Sequence, residues 1–197
     1  PILGSPNRIT PEKLAAARAQ FATRFEGLPR PRLAVLLGGK SKAYRFDSAT
    51  VENLTRALVE LSTSRSLIVL PSRRTGEDNT ARIAAALADS QAYVWRGDGE
   101  NPYLGALAWA DAFLVTADSV NMACDAAATG KPVHIFPLRG GALKFDRFHR
   151  ALAERGISRM FDGTIRQWTY APLDETGRAA KRIRELLDLS ANAHDMK

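Results

Sequence analysis

The sequence has a single cysteine, three histidines and no long apolar run, and each shortage excludes a class of protein. One thiol, Cys124, cannot form an internal disulfide, so the chain suits a reducing compartment, and we expect a cytoplasmic protein. The histidines are too far apart in sequence to suggest a metal site, and we expect neither a metal nor another cofactor. Because no stretch of about 18 apolar residues is present, no segment is expected to span a bilayer.

The sequence also shows neither the pattern of a secretory leader nor the residue patterns of a hydrolase site. The chain opens Pro1-Ile2-Leu3 without Met and without the charged flank of a secretory leader, so we expect a piece of a longer protein. No Ser-His-Asp order or carboxylate pair stands out, which leaves a hydrolase without support. RNA-reading and zinc-finger signatures are absent, so the net charge of +7 predicts a solvated basic surface and no nucleic-acid partner.

What is present, from Arg32 onward, is a regular alternation of short apolar runs and helical patterns. Strands are predicted at 33–37, 66–70, 92–95, 112–115 and 132–136. Helices are predicted at 10–25, 48–61, 79–87, 102–110, 119–129, 145–155 and about 176–187. Strands that are apolar on both faces require a parallel sheet covered by helices on both sides.

The predicted fold is therefore a doubly wound, Rossmann-like α/β domain with five to six parallel strands. We expect this domain to occupy residues 32–190. A helix and a connector precede it at 1–31, and a frayed tail follows at 191–197. Ligands of such a sheet bind beyond the carboxyl ends of its strands, where three loops carry residues suited to phosphate.

The first of these loops is Gly38-Gly39-Lys40-Ser41. Its two glycines allow a close backbone approach with exposed N–H groups, and Lys40 adds positive charge. The second half of a P-loop pattern is missing, so an ordinary turn is an equal alternative for this segment.

The other two loops follow the second and the fourth predicted strands. Arg73 and Arg74 present forked donors that match phosphate oxygens, although solvated surface arginines give the same pattern. Asp118 and Ser119 begin a helix whose free N–H groups form an anion site, and Ser119 also suits a plain N-cap. All three loops are thus predicted to contact the phosphates of a nucleotide-type ligand.

Several other residues are expected to be structural. His134, in a central strand, should be a satisfied core residue, His149 a surface residue and Cys124 a small core residue. The final helix has a basic side, which we expect to be solvated, with contact to acidic lipid or to a partner as the alternative. That side consists of Arg178, Lys181, Arg182 and Arg184.

Two features form a pattern. Gly38-Gly39 follows the first predicted strand, and Asp125 lies five positions before the glycine of Gly130-Lys131-Pro132. With the stretch 101–137, this pattern resembles the donor-binding half of GT-B glycosyltransferases, including bacterial peptidoglycan N-acetylglucosaminyltransferases. The resemblance implies that Asp125 holds ribose hydroxyls and that the helix start at Ser119 faces the diphosphate of a UDP- or GDP-type sugar. Those enzymes usually carry Glu at the ribose position.

A closer likeness lies in the segments 36–41, 71–75, 116–122 and 128–132. They are similar to motifs of the plant mitochondrial-fission proteins and their bacterial relatives, and the match runs over about residues 4–173. The resemblance implies a GT-B-like protein whose N-terminal half, a partner of this one, lies outside the chain. Two functions remain open: a donor domain that is inactive alone, or a non-catalytic interaction module that kept the fold.

Overall fold

A computed structural model of the chain describes the backbone of residues 2–194 and the side chains of residues 2–187. The strands are β1 (Arg32–Leu37), β2 (Ser66–Pro71), β3 (Ala92–Val94), β4 (Ala112–Thr116), β5 (Val133–Phe136) and β6 (Ser158–Met160). They pair in parallel in the order β3-β2-β1-β4-β5-β6. This order confirms the predicted doubly wound parallel sheet, with its topological switch point between β1 and β4.

The helices lie between these strands and at both ends of the described chain. They are α1 (Pro11–Gln20), α2 (Ala22–Phe25), α3 (Ser48–Ser62), α4 (Glu77–Ala86), α5 (Tyr103–Trp109), α6 (Val120–Ala127), α7 (Leu143–Glu154) and α8 (Glu175–His194). Local sequence explains where several of them begin. Thr10 caps α1, with its hydroxyl accepting the N–H of Lys13 at 3.3 Å, and Asp47 caps α3 through the N–H of Thr50 at 3.0 Å.

The central strand β1 is buried along its whole length, and its side chains alternate between two hydrophobic layers. Ala34 and Leu36 face the layer that contains the side chains of α1, α2, α5, α6 and α7. Leu33, Val35 and Leu37 face the layer that contains those of α3 and α4. The N-terminal helices therefore belong to the same core as the sheet. This two-sided covering is what the predicted strands required.

Three elements differ from the sequence-based expectation. The first predicted helix is divided at Phe21 into α1 and α2. The strand β6 was not located, because it has only three residues and two of them, Arg159 and Met160, are exposed. The last helix continues to His194, so 191–194 of the predicted frayed tail are helical, and 195–197 lie outside the described residues.

The described residues contain neither a membrane-spanning helix nor a cluster of metal ligands. None of the helices there is both long and apolar enough to cross a bilayer. Nor does that part of the chain bring together three or more side chains that could hold a metal ion.

His134 lies on β5, between β4 and the edge strand β6, and is 1% exposed. Its Nε2 atom accepts the N–H of Arg166 at 3.1 Å, and the ring of Trp168 packs edge-on against the imidazole. The predicted core position of His134 is thus confirmed, but the ring is only partly satisfied, because its buried Nδ1 atom has no hydrogen-bond partner among the described residues. Burial lowers the pKa of His134 to about 4, because the charged imidazolium would lose its hydration.

We expect His134 to make the protein less stable as the pH falls. The pKa in the folded state lies below the unfolded value of 6.5, so the unfolded state takes up the proton first. Between pH 7 and pH 5.5 this difference should lower the free energy of unfolding by about 1 kcal/mol. Urea unfolding at both pH values should show a smaller loss in His134→Gln than in the wild type, and equal losses would contradict the prediction.

Candidate functional site

The three loops that the sequence singled out meet at the carboxyl edge of the sheet, next to the switch point. The N–H of Gly38 donates to the hydroxyl oxygen of Thr116 at 2.8 Å, and the N–H of Gly39 donates to Asp118 at 3.0 Å. The hydroxyl of Ser72 donates to the carbonyl of Gly38 at 2.9 Å. The loops after β1, β2 and β4 are therefore joined to one another by hydrogen bonds.

Asp118 is the centre of this junction, with a side chain that is 0% exposed. Its carboxylate accepts the N–H of Gly39, the hydroxyl of Thr116 at 2.7 Å and Nη1 of Arg74 at 2.5 Å. Arg74 is the counter-ion of the buried carboxylate and is 42% exposed. Both residues already have protein partners, so their predicted contacts to phosphate would have to coexist with this ion pair.

The two glycines are required by close packing around Asp118. A Cβ atom on Gly38 would stand 2.2 Å from the Asp118 carboxylate, and one on Gly39 would stand 2.0 Å from the carbonyl oxygen of Arg74. Their N–H groups are bonded inside the protein, so the expectation that these groups are exposed is wrong. The spacing in sequence could not reveal this, because the acceptors come from a strand about eighty residues later.

The rest of the first loop forms a tight turn. The hydroxyl oxygen of Ser41 accepts the N–H groups of Ala43 and Tyr44 at 3.3 and 3.1 Å. Tyr44 then pairs with Gly140 in an isolated antiparallel bridge, which ties this loop to the one after β5. Lys40 remains exposed beside the turn. Ser41 thus shapes the loop that presents the Lys40 side chain.

Exposed cations surround the junction. Lys40, Lys42 and Arg73 are exposed, and none of them forms an ion pair within the described residues. Arg73, with Trp95 and Arg96, lines a cavity of about 480 Å³ beyond the carboxyl ends of β2 and β3. Of the two arginines predicted to bind phosphate, Arg73 has no ion pair among the described residues, whereas Arg74 is paired with Asp118 although its side chain is 42% exposed.

The helix that follows β4 begins as the sequence predicted. Ser119 is the N-cap of α6, and its hydroxyl oxygen accepts the N–H of Met122 at 3.4 Å. The first N–H groups of a helix have no partner within the helix, and they carry its partial positive charge. The N-cap role of Ser119 is confirmed, and its contact with a phosphate stays a prediction.

Asp125 lies on the second turn of α6 and is half-buried. Its carboxylate accepts the hydroxyl of Tyr103 at 2.8 Å. Burial raises the pKa of Asp125 above its ordinary value, and the hydrogen bond from Tyr103 opposes that rise. A ribose bound to Asp125 would have to share the carboxylate with Tyr103 or displace its hydroxyl.

His149 is the site residue that the sequence analysis missed. It was predicted at the surface, yet its ring is half-buried and donates from Nε2 to the carbonyl of Ala117 at 2.7 Å. Burial lowers its pKa. With Tyr44 and Asp146 it lines a cavity of about 320 Å³ beside the junction. The helical spacing of Phe145, His149 and the buried Leu152 was the available signal.

Comparison with known proteins places the chain in a family. The family model described as mitochondrial fission ELM1 matches residues 1–187. The chain belongs to the mitochondrial fission ELM1 family. The resemblance inferred from its loop motifs is thereby confirmed.

The curated relatives of this ELM1-family chain are longer than the chain itself. Mitochondrial fission protein ELM1 of Arabidopsis thaliana is 35% identical over 189 residues, which cover 93% of this chain and 44% of the relative. An uncharacterized protein of Rickettsia prowazekii (strain Madrid E) is 29% identical over 202 residues, covering 96% and 56%. The chain thus spans about half the length of these relatives.

Among solved structures, the chain is similar to MurG from Acinetobacter baumannii. The TM-score is 0.48 with 17% sequence identity, over 75% of this chain and 40% of that chain. The strand order of the ELM1-family chain follows from the hydrogen bonds between its own strands and does not depend on this likeness.

We expect Asp118→Ala to lower the free energy of unfolding by about 1–3 kcal/mol, because a buried N–H and a buried hydroxyl lose their acceptor. Chemical unfolding measures the change. Glu52→Ala is the matched control: Glu52 pairs with Arg56 on the surface of α3, both side chains are 69% exposed, and its loss should stay below about 0.5 kcal/mol. Equal effects of the two substitutions would refute a structural role for Asp118.

Gly38→Ala should also destabilise the domain, by about 1–3 kcal/mol, since the new Cβ would overlap the Asp118 carboxylate. Gly27→Ala is the control, because nothing lies within 4 Å of a Cβ atom there. The control should change stability by less than about 1 kcal/mol in either direction. Thermal melting of both variants distinguishes the two cases, and a neutral Gly38→Ala would contradict the packing described for this loop.

Proposed function

We propose that this chain binds a nucleoside diphosphate sugar of the UDP or GDP type at the carboxyl edge of its sheet. In the proposal, the phosphates lie against the Gly38–Ser41 loop, Arg73 and the helix start at Ser119. The ribose hydroxyls lie against Asp125. The chain would then be the donor-binding domain of a protein related to the GT-B glycosyltransferases.

The observation that supports the proposal best is the convergence of the three loops at the switch point. In open parallel sheets that crevice is the usual ligand site. The N-terminal end of α6 lies there. Lys40 and Arg73, which form no ion pair among the described residues, follow the neighbouring strands β1 and β2. N–H groups of a helix start and uncompensated cations together favour a ligand with clustered negative charge.

In this proposal the two neighbouring arginines, Arg73 and Arg74, have different roles. Arg74 neutralises the buried Asp118 and fixes the geometry of the loops. Arg73 is exposed at the 480 Å³ cavity and has no carboxylate partner in the described part of the chain. We therefore assign ligand contact to Arg73 and a structural role to Arg74.

In glycosyl transfer the nucleoside diphosphate is the leaving group, and stabilising its developing charge is the service that such a domain can give. Acceptor binding and any general base would come from the remainder of a longer protein. The lengths of the two relatives leave room for that remainder, because the chain covers 44% and 56% of them. The isolated chain should therefore bind the donor without transferring its sugar.

A second candidate is an interaction module that kept the fold without the ligand. It is favoured by the internal hydrogen bonds of the site. The N–H groups of Gly38 and Gly39 and the carboxylate of Asp125 all have protein partners. A structure built this way is stable without a ligand, so ligand binding has to be measured directly.

The test is a thermal-shift screen with UDP, GDP, ADP, CMP and their sugar conjugates, followed by calorimetry. A ligand at 100 times its dissociation constant should raise the melting temperature by roughly 5–10 °C. Arg73→Ala should weaken binding by about 1.5–3 kcal/mol, the value of a charge-assisted hydrogen bond, with little change in melting temperature. Arg74→Ala should lower the melting temperature even without ligand.

Arg56→Ala serves as the control, because this arginine is exposed on α3, away from the three loops. Its affinity should equal that of the wild type. Wild-type affinity in Arg73→Ala would remove the second loop from the proposed site. Failure of every nucleotide to bind, both to this chain and to a full-length relative, would favour the interaction module.

A further inference from the structure

The first turn of α7 carries a side chain whose exposure the core does not explain. Leu143 is 74% exposed, the highest value among the large hydrophobic residues of the described chain. Lys144 is exposed beside it, and Arg147 follows one turn later. A cation in the first turn of a helix opposes the helix dipole, so Lys144 does not stabilise the helix that carries it.

A cavity of about 390 Å³ adjoins this turn. Leu3, Val120, Phe145 and Phe148 form apolar walls, and Lys144 and Arg147 also line it. The cavity therefore combines an apolar interior with two cations. That combination fits an amphipathic anion better than a free phosphate, which would gain nothing from the apolar walls.

The local charge is positive on this side of the helix. Asp146, the acid of the same turn, lies on the other flank, where it lines the cavity of Tyr44 and His149. No ion pair engages Lys144 or Arg147 among the residues with described side chains.

The basic side of α8, which the sequence analysis considered for contact with lipid, is partly neutralised. Arg178 pairs with Glu175, and Arg182 pairs with Glu185 at 3.2 Å. The surface on α7 retains its charges and has an apolar cavity next to them. On α8, Lys181 and Arg184 form no ion pair among the residues with described side chains, and Ile183 and Leu187 beside them are exposed. What distinguishes the surface on α7 is the apolar cavity that Lys144 and Arg147 line.

We propose that Leu143, Lys144, Arg147 and the adjoining cavity form a docking surface for a bilayer that contains acidic phospholipid. The two cations bind lipid phosphates, while Leu143 and the cavity walls meet the acyl region. Apolar and basic side chains combined on one helix face are the pattern of helices that lie in a membrane interface. This inference is independent of nucleotide binding.

The opposite face of the sheet offers a matched control surface. Val59 on α3 is 41% exposed, and it borders a second cavity of about 390 Å³ together with Arg56 and Arg82. Arg56 is already paired there with Glu52. The control surface thus has similar groups, but one of its cations is neutralised within the protein.

The experiment is flotation with vesicles of phosphatidylcholine and phosphatidylglycerol, compared with vesicles of phosphatidylcholine alone. We expect wild-type protein to float with the acidic vesicles and to be released by salt. Lys144→Ala and Arg147→Ala should each weaken binding about five-fold, and Leu143→Glu should weaken it at least ten-fold. Arg56→Ala and Val59→Glu should bind like the wild type. Thermal melting checks that each variant is folded.

Three results would overturn the inference. The first is wild-type protein that does not float with acidic vesicles. The second is an equal loss of flotation in the α7 and α3 variants, which would indicate a response to net charge alone. The third is a Leu143→Glu variant that floats normally but loses self-association in light scattering, which would assign the surface to a second copy of the chain.

Discussion

The buried carboxylate of Asp118 is the interaction on which the candidate site depends. It lies where the chain leaves β4, next to the switch point of the sheet. It accepts hydrogen bonds from the loops after β1 and β2 and from the last residue of β4. An isolated carboxylate at 0% exposure would be strongly destabilising, so Arg74 and the surrounding donors are a condition of its presence. The requirement for glycine at Gly38 and Gly39 follows from the same contact, because any side chain there would overlap the Asp118–Arg74 unit.

This arrangement separates the residues that join the three loops from the cations that stay exposed. Thr116, Asp118 and Arg74 are engaged with one another and hold the loops at a fixed distance. Lys40 and Arg73 extend from that frame into solvent. If an anion binds there as proposed, a frame held in this way would lose little backbone conformational entropy.

The charge of +7 is not spread evenly over the functional surfaces. Several cations are paired within the protein, as in the Arg30–Asp111, Arg155–Glu175 and Arg166–Asp162 pairs. Others, at the loops after β1 and β2 and at the start of α7, form no ion pair with any residue whose side chain the structure describes. An anionic nucleotide and an acidic bilayer would therefore meet different parts of the same edge of the sheet. The two proposed partners need not compete for the same side chains.

The sequence by itself determined the fold class, the position of five of the six strands and the N-caps of α1 and α6. These features depend on local patterns: apolar runs of strand length, helical spacing, and a Thr or Ser before a helix. The sixth strand, β6, could not be predicted from the sequence, because Arg159 and Met160 are exposed and the segment has no apolar run. The loops of the candidate site were also located, because the order of strands and helices places them at one edge.

Only the tertiary structure decided what each residue in those loops does. Arg73 and Arg74 are neighbours in sequence, chemically identical and both exposed, yet Arg74 neutralises Asp118, which is 44 residues away in sequence, and Arg73 has no ion pair among the described residues. Asp125 is bonded to Tyr103, and His149 to the carbonyl of Ala117. Such pairings arise when distant segments pack together. Local sequence alone therefore does not determine the direction in which a side chain points or the partner that it contacts.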